Sequence, residues 1–393
     1  MIIVLYSILK GDIMEEFIKK RWDNFLKMGV PGFDLAVYKD GECIVRYANG
    51  YSDLENKIPI SGNERYYIYS CSKPITCVAA MQLWEKGLFS LDDKLSDYMP
   101  EFRDMNVLTE NGIKKAENPI LIEHLFTMRA GFDYNVYSPS MQKGIEETNG
   151  RCPTREMMKY LAQEPLLFEP GERYEYSLCH DVLAALVEVI SGEKFETYVK
   201  KNIFDVLGMN DSTYIITEKE KETVIPLYRF DEETKKAINE NKVNWYTPGP
   251  EYASGGAGCI STVDDYMKFL EAIRKGDIIL KKETIKLMST PRYTNEEEID
   301  WINYPYGYGL GLRAPLEKGI HKDFGWGGAA GAFLAVDIEN GISIFHVQHM
   351  LCSPNQEMRG RIYNYLMAYV FGREDFKEFV SKETFVENYD LTY

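Results

Sequence analysis

Residues 69–87 read Tyr-Ser-Cys-Ser-Lys-Pro-Ile-Thr-Cys-Val-Ala-Ala-Met-Gln-Leu-Trp-Glu-Lys-Gly. Ile75, Val78, Ala79 and Leu83 recur near a period of 3.6, so the spacing predicts one amphipathic helix that stops close to Gly87. Ser70 falls at the helix start, with Lys73 one turn on and on the same face. Pro74 is tolerated there because first-turn N–H groups have no intrahelical acceptor to lose. A hydroxyl within reach of an amine, at the positive end of a helix dipole, suits nucleophilic attack on a carbonyl. The plain alternative is a helix-capping serine, a duty this residue often fills.

The tetrapeptide Ser-x-x-Lys is weak by itself, since it also begins at Ser7, Ser140 and Ser191. Ser7 lies in an irregular N-terminal stretch, Ser140 in the loop Tyr-Ser-Pro-Ser-Met, and Ser191 where a helix ends at Ser-Gly. Only Ser70 opens a long periodic segment. Context therefore selects it.

A chain of 393 residues supplies ample core for two or three domains or one compound domain. Its 45% apolar content, with 28 Tyr and 19 Phe, marks a packed globular protein. A formal charge of −16 and the lack of a basic run argue against a nucleic-acid partner. The apolar residues 1–9 lack a basic leader and a cleavage site and are too short to span a bilayer. They read either as a packed N-terminal strand or as residues upstream of a natural start at Met14. No later stretch looks transmembrane, and a cytoplasmic protein is expected. The seven cysteines are scattered without a Cys-x-x-Cys pair, which fits reduced thiols better than disulfides or a zinc site. Cys71, next to Ser70, reads as a small packing residue.

Along the chain, residues 14–27 read as a helix with Phe17, Trp22 and Phe25 on one side. Residues 33–38 and 43–47 flank Asp40-Gly41 as a β-hairpin. Residues 91–100 give a short capped segment, and 121–128 a helix leading into the loop Arg129-Ala-Gly-Phe-Asp-Tyr134. Residues 177–192 and 195–208 read as helices closed by glycine. Residues 218–242 look like a solvated excursion with a hairpin at 231–234, and a helix is expected over 264–274. The last third turns to strands at 306–312, 322–326, 332–337 and 342–347, before a closing helix over 357–370. Strands at both ends with helices between them predict an α+β (α/β) fold. The expected architecture is an antiparallel sheet from residues 1–75 and 240–393, flanked by helices, with residues 76–239 as an inserted, mainly helical domain. A site would sit in the cleft between them.

Two further motifs belong with Ser70. Tyr176, in Tyr-Glu-Tyr-Ser after the loop signal Pro170-Gly171, should project from a loop or helix start. A phenol near an ammonium is a candidate proton carrier, although with 28 tyrosines a packing role is the plain alternative. Phe324-Gly-Trp-Gly-Gly-Ala-Ala-Gly331 leads into an apolar strand. Small residues along a strand edge admit a substrate and leave N–H groups for an oxyanion, or simply form a glycine-rich turn. A phosphate loop fits poorly because strand, not helix, follows.

These three pieces, in this order, resemble the serine β-lactamase and penicillin-binding-protein superfamily. The match is nearest to its class C β-lactamase-like branch, with the family VIII carboxylesterases. Supporting phrases are Leu91-Asp-Asp-Lys-Leu-Ser-Asp-Tyr-Met-Pro, Ile203-Phe-Asp-Val-Leu-Gly-Met-Asn-Asp-Ser, Gly255-Gly-Ala-Gly-Cys-Ile-Ser-Thr-Val-Asp-Asp and Tyr308-Gly-Leu-Gly. The resemblance implies a β-lactamase/transpeptidase-like fold, with Ser70 as acyl-forming nucleophile and Lys73 as its base or relay. It further implies Tyr176 as the proton-sharing phenol, and the backbone N–H groups of Ser70 and Ala329 as the oxyanion hole.

Leu178 stands where penicillin-active members carry Asn, and Trp326 where they carry Lys or His. With Gly327 and Gly328, these are the expected substrate-binding positions. Both exchanges remove polar recognition of an amide or carboxylate, which disfavours β-lactams and peptidoglycan. The expected activity is hydrolysis of esters of small carboxylic acids through an acyl-enzyme. The alternatives are a D-amino-acid peptidase, amidase or weak β-lactamase, and, from another class, an inactive ligand-binding protein. The partner is then a small-molecule ester or amide, with no membrane, and no cofactor or metal is called for. His180 is a lesser catalytic candidate against a structural histidine. His124 reads as structural, and His346 and His349 as a poor metal pair.

Overall fold

The computed structural model describes residues 2–5, 11–241, 244–294 and 306–386. The Ser7–Lys10 tetrapeptide lies outside the described residues. The hairpin at Asp40-Gly41 forms as the sequence predicts, with strands Gly32–Lys39 and Glu42–Asp53 closing at Lys39 opposite Glu42. Among the described residues it is part of an antiparallel sheet of nine strands. From one edge the order is Ile2–Leu5, Glu42–Asp53, Gly32–Lys39, Ile342–Gln348, Phe333–Asp337, Phe324–Gly327, Arg313–Pro315 and Tyr306–Tyr308. The short strand Ile58–Pro59 pairs with Glu42–Asp53. Ile2–Leu5 pairs with residues 45–48 as the edge strand.

The sheet comes from the two ends of the chain because its central strands are apolar on both faces. Along Ile342–Gln348, Phe345 and Val347 join one core while Ile344 joins the other, the alternation a pleated strand imposes. Tyr266 from the helix Val263–Lys275 stacks on Phe345 at 4.3 Å on the first face. Trp22 and Phe25 of the helix Gly11–Lys27, with Tyr363 and Leu366 of the helix Ile362–Tyr369, cover the second. Between the strand Tyr66–Tyr67 and its antiparallel partner Ile260–Ser261 the chain is mainly helical.

Several expectations need correction. The segment after Ser70 is not a two-faced surface helix: Ser72–Glu85 is buried almost all round, including Lys73, because it runs through the largest core. Residues 306–312 do not form one strand. The chain turns at Gly311, whose added Cβ would lie 2.2 Å from Cys77 Sγ, and returns as Arg313–Pro315. The excursion over 218–242 is docked: its strand Tyr228–Asp231 pairs with Met350–Leu351, and Tyr228 is fully buried. The closing helix is two helices, Gln356–Gly360 and Ile362–Tyr369. The second glycine-capped helix passes through a π-helical turn, Lys200–Phe204, before Gly208.

Candidate active site

The nucleophile turn is built by its neighbours rather than by helix propensity. Tyr69 holds a left-handed backbone (φ 47°), an uncommon state for a bulky residue, and the chain enters a 3₁₀ turn, Tyr69–Cys71, before the α-helix. Ser72, not Ser70, serves the local backbone: its hydroxyl donates to Tyr69 O at 2.5 Å and accepts the Cys259 N–H at 2.9 Å. Ser70 makes no capping bond and stays partly exposed, so the capping alternative falls away.

Two side chains converge on Ser70, one from the next turn of its own segment and one from far along the chain. Tyr176 OH donates to Ser70 Oγ at 2.6 Å, and Lys73 Nζ donates to the same oxygen at 3.3 Å. Lys73 Nζ also donates to Gly256 O at 2.8 Å and to Tyr134 OH at 3.3 Å. The Lys73 ammonium nitrogen lies 4.4 Å from the Tyr176 ring centroid and 5.2 Å from that of Tyr134, a cation–π arrangement on both. Tyr176 sits just before the helix Cys179–Ser191, where two backbone bonds tie its segment to the preceding loop: Glu175 N to Met128 O and Leu178 N to Asp133 O. That docking stacks Tyr134 on Tyr176 at 5.1 Å and 11°.

Tyr134 and Gly256 were not singled out in the sequence. Their stretches are visible there, as a glycine-containing loop and a glycine-rich phrase, but nothing local marks a phenol or a carbonyl that will meet Lys73. Burial, with the charges of Tyr176 and Asp181 adding to it, pushes the Tyr134 phenol well up, so it stays neutral.

The strand Phe324–Gly327 passes beside the nucleophile. Trp326, 5% exposed, stacks against Tyr176 at 6.1 Å and meets Tyr308 edge-on at 5.2 Å. Gly327 and Ala329 are exposed and Gly328 is buried. A Cβ on Gly328 would sit 2.4 Å from Ile68 O, two residues before Ser70, so glycine is what lets this turn close onto the nucleophile. Gly328→Ala is expected to cost roughly 1–3 kcal/mol by overpacking. It should also lower turnover beyond what the loss of folded protein explains, as read from paired thermal melts and kcat. Among the described residues no backbone acceptor takes the Ala329 N–H. Leu178 is 1% exposed and packs in the core.

The structure does not bring His180 to the nucleophile. Its Nε2 lies 3.4 Å from Phe126 O and 3.7 Å from Cys77 Sγ, and burial, reinforced by the Lys73 charge, pulls it down to about 3. His124 accepts the Leu121 N–H, and its burial brings it to about 4. His346 accepts the Trp22 indole N–H, while His349 sits between the carbonyls of Pro226 and Tyr51. Burial pushes the Cys71 thiol up, which suits packing rather than nucleophilic chemistry. All seven cysteines are unpaired, and among the described residues no group of three or more His, Cys, Asp or Glu could hold a metal ion. Nor is any described helix long and apolar enough to cross a membrane.

A serine hydroxyl held by a lysine and a tyrosine beside a glycine-lined strand, on a helix-flanked antiparallel sheet, defines a serine hydrolase. The chain belongs to the beta-lactamase family, whose profile matches residues 14–357. It is 28% identical over 335 residues to esterase EstB of Burkholderia gladioli, covering 78% of this chain and 83% of the esterase. It is 25% identical over 299 residues to penicillin-binding protein 4* of Bacillus subtilis, covering 73% of this chain and 61% of that protein. The solved structure of EstCE1, described as a hydrolase with promiscuous acyltransferase activity, shares the fold. Its TM-score is 0.74 at 23% identity, with 92% of this chain and 99% of that one covered.

Proposed function

We propose that this protein hydrolyses esters of small carboxylic acids through an acyl-enzyme on Ser70. The observation that carries the reading is the approach of both Tyr176 OH and Lys73 Nζ to one serine oxygen, 2.6 and 3.3 Å away, under an aromatic wall. In the first half-reaction Ser70 Oγ attacks the ester carbonyl as its proton passes to the Tyr176 oxygen, which acts as the phenolate beside the Lys73 ammonium. The oxyanion is taken by the N–H groups of Ser70 and Ala329. Collapse expels the alkoxide, which leaves as the alcohol with that proton. Water then repeats the sequence on the acyl-serine and releases the acid.

The aromatic surfaces of Trp326, Tyr176 and Tyr134 support an ester over a charged β-lactam, since no cationic side chain stands at the Trp326 position to pair a substrate carboxylate. The likeness to an esterase points the same way. The likeness to a penicillin-binding protein favours the second reading, a D-amino-acid peptidase, amidase or weak β-lactamase. An inactive ligand-binding protein would not need the three groups to converge. Seven unpaired cysteines fit a cytoplasmic setting. The test is turnover of p-nitrophenyl acetate and butyrate against nitrocefin. Ester turnover well above nitrocefin is expected; nitrocefin rates matching the esters would promote the second reading, and inertness towards all three with retained ligand affinity would promote the last.

A further inference from the structure

Lys73 is fully buried, and its three hydrogen bonds end on neutral oxygens, those of Ser70, Tyr134 and Gly256. An ammonium withdrawn from water needs a nearby negative charge, or it gives up its proton. Asp181 supplies one. It lies in the first turn of the helix Cys179–Ser191 and is likewise fully buried. A Cβ on Gly256 would lie 2.7 Å from Asp181 Oδ2 and 3.3 Å from Lys73 Nζ. The space left by that absent side chain is where carboxylate and ammonium face each other.

From the 252–256 segment, the hydroxyls of Tyr252 and Ser254 and the Gly256 N–H face the Asp181 carboxylate, yet none closes a hydrogen bond of normal geometry onto either oxygen. Burial pushes Asp181 up to about 6, against the pull of Ser254 and of the Lys73 charge. The phenols of Tyr134 and Tyr214, from two other segments, feel its charge and are neutral. On its own helix, His180 is neutral and the Cys179 thiol is pushed up. Lys73 is thus the cation this carboxylate faces from the elements packed on it. A buried acid that faces a catalytic amine, with its neighbouring donors short of full hydrogen bonds, acts on that amine through its charge.

We propose that Asp181 is a positioning residue whose carboxylate is the counter-charge that keeps Lys73 an ammonium directed at Ser70 Oγ during catalysis. The proposal rests on the reading that Ser70 and Lys73 carry the reaction. Its sign follows from charge alone: a carboxylate facing an ammonium favours the protonated form, and removing the carboxylate withdraws that support. The alkaline limb of kcat/KM must then move down.

The test is the pH profile of kcat/KM for p-nitrophenyl butyrate in the wild type, Asp181→Asn and Asp181→Glu, each with a thermal melt to keep assays below unfolding. Asp181→Asn should move the alkaline limb to lower pH by about one unit or more. Asp181→Glu, which keeps the charge, should return the limb towards the wild-type position even where its kcat is lower. If Asp181→Asn does not fold, Asp181→Ser makes the same prediction. Unmoved limbs, or a shift of the acid limb instead, overturn the proposal. Ser70→Ala assayed alongside separates the two levels: an inactive Ser70→Ala with an unmoved Asp181→Asn profile sinks the role of Asp181 alone, whereas an active Ser70→Ala sinks the reading beneath it.

Discussion

Replacing Ser70 by alanine is expected to lower ester turnover by about 10⁴-fold or more while leaving the melting temperature close to wild type. Removing a catalytic nucleophile leaves only binding and oxyanion stabilisation, which accounts for losses of about that size or larger. The structural cost is small because Ser70 is partly exposed and caps nothing. Ser72 keeps the turn closed through Tyr69 O and the Cys259 N–H, and Lys73 retains Gly256 O and Tyr134 OH. Turnover by purified Ser70→Ala at wild-type rates would require a different nucleophile. The adjacent Cys71 is poorly suited to that role, since its thiol is fully buried.

Tyr176→Phe is expected to lower kcat by roughly 10²–10⁴, the range for losing a positioned proton carrier. It should have little effect on KM, because the ring that stacks on Tyr134 and Trp326 is retained and only the hydroxyl 2.6 Å from Ser70 Oγ is removed. Steady-state kinetics on p-nitrophenyl butyrate gives the split. A rise in KM with kcat unchanged would mean that Tyr176 binds substrate without moving a proton.

The parts of the fold legible in the sequence were those set by local chemistry. Asp40-Gly41 between alternating apolar runs specifies its hairpin whatever surrounds it. Glycine after Ser191 and Leu207 specifies helix ends, observed with Gly192 and Gly208 in the left-handed region. The helix expected over 264–274 forms as Val263–Lys275, and the structure adds its cap, Thr262 Oγ1 accepting the Asp265 N–H. What stayed hidden was set by tertiary contact. The break at Gly311 exists because Cys77 stands against it, whereas the helices Pro139–Glu147 and Thr154–Leu161 do carry local signals, a proline at each start and Met157, Met158 and Leu161 at helical spacing, that a reading centred on Ser70 passes over. Residues 218–242 look solvated by charge alone, yet the alternation of buried Tyr228 and Phe230 seats them beside Met350–Leu351.

The site divides in the same way. Ser70, Lys73 and Tyr176 could be proposed because each sits in a recognisable local frame, and the structure gathers them. Tyr134, Gly256 and Asp181 could not, because each acts through Lys73 from a segment whose position depends on the whole fold. Asp181 reads in the sequence as an ordinary acid near a helix start, a favourable place for a carboxylate that says nothing of chemistry.

The most direct measurement is mass spectrometry of the protein quenched soon after mixing with p-nitrophenyl butyrate, intact and then as peptides. A butyryl adduct is expected on the wild type that maps to Ser70, is absent from Ser70→Ala, and accumulates or decays differently in Tyr176→Phe. Rapid ester turnover with the adduct on another residue, or an equal adduct on Ser70→Ala, would contradict it.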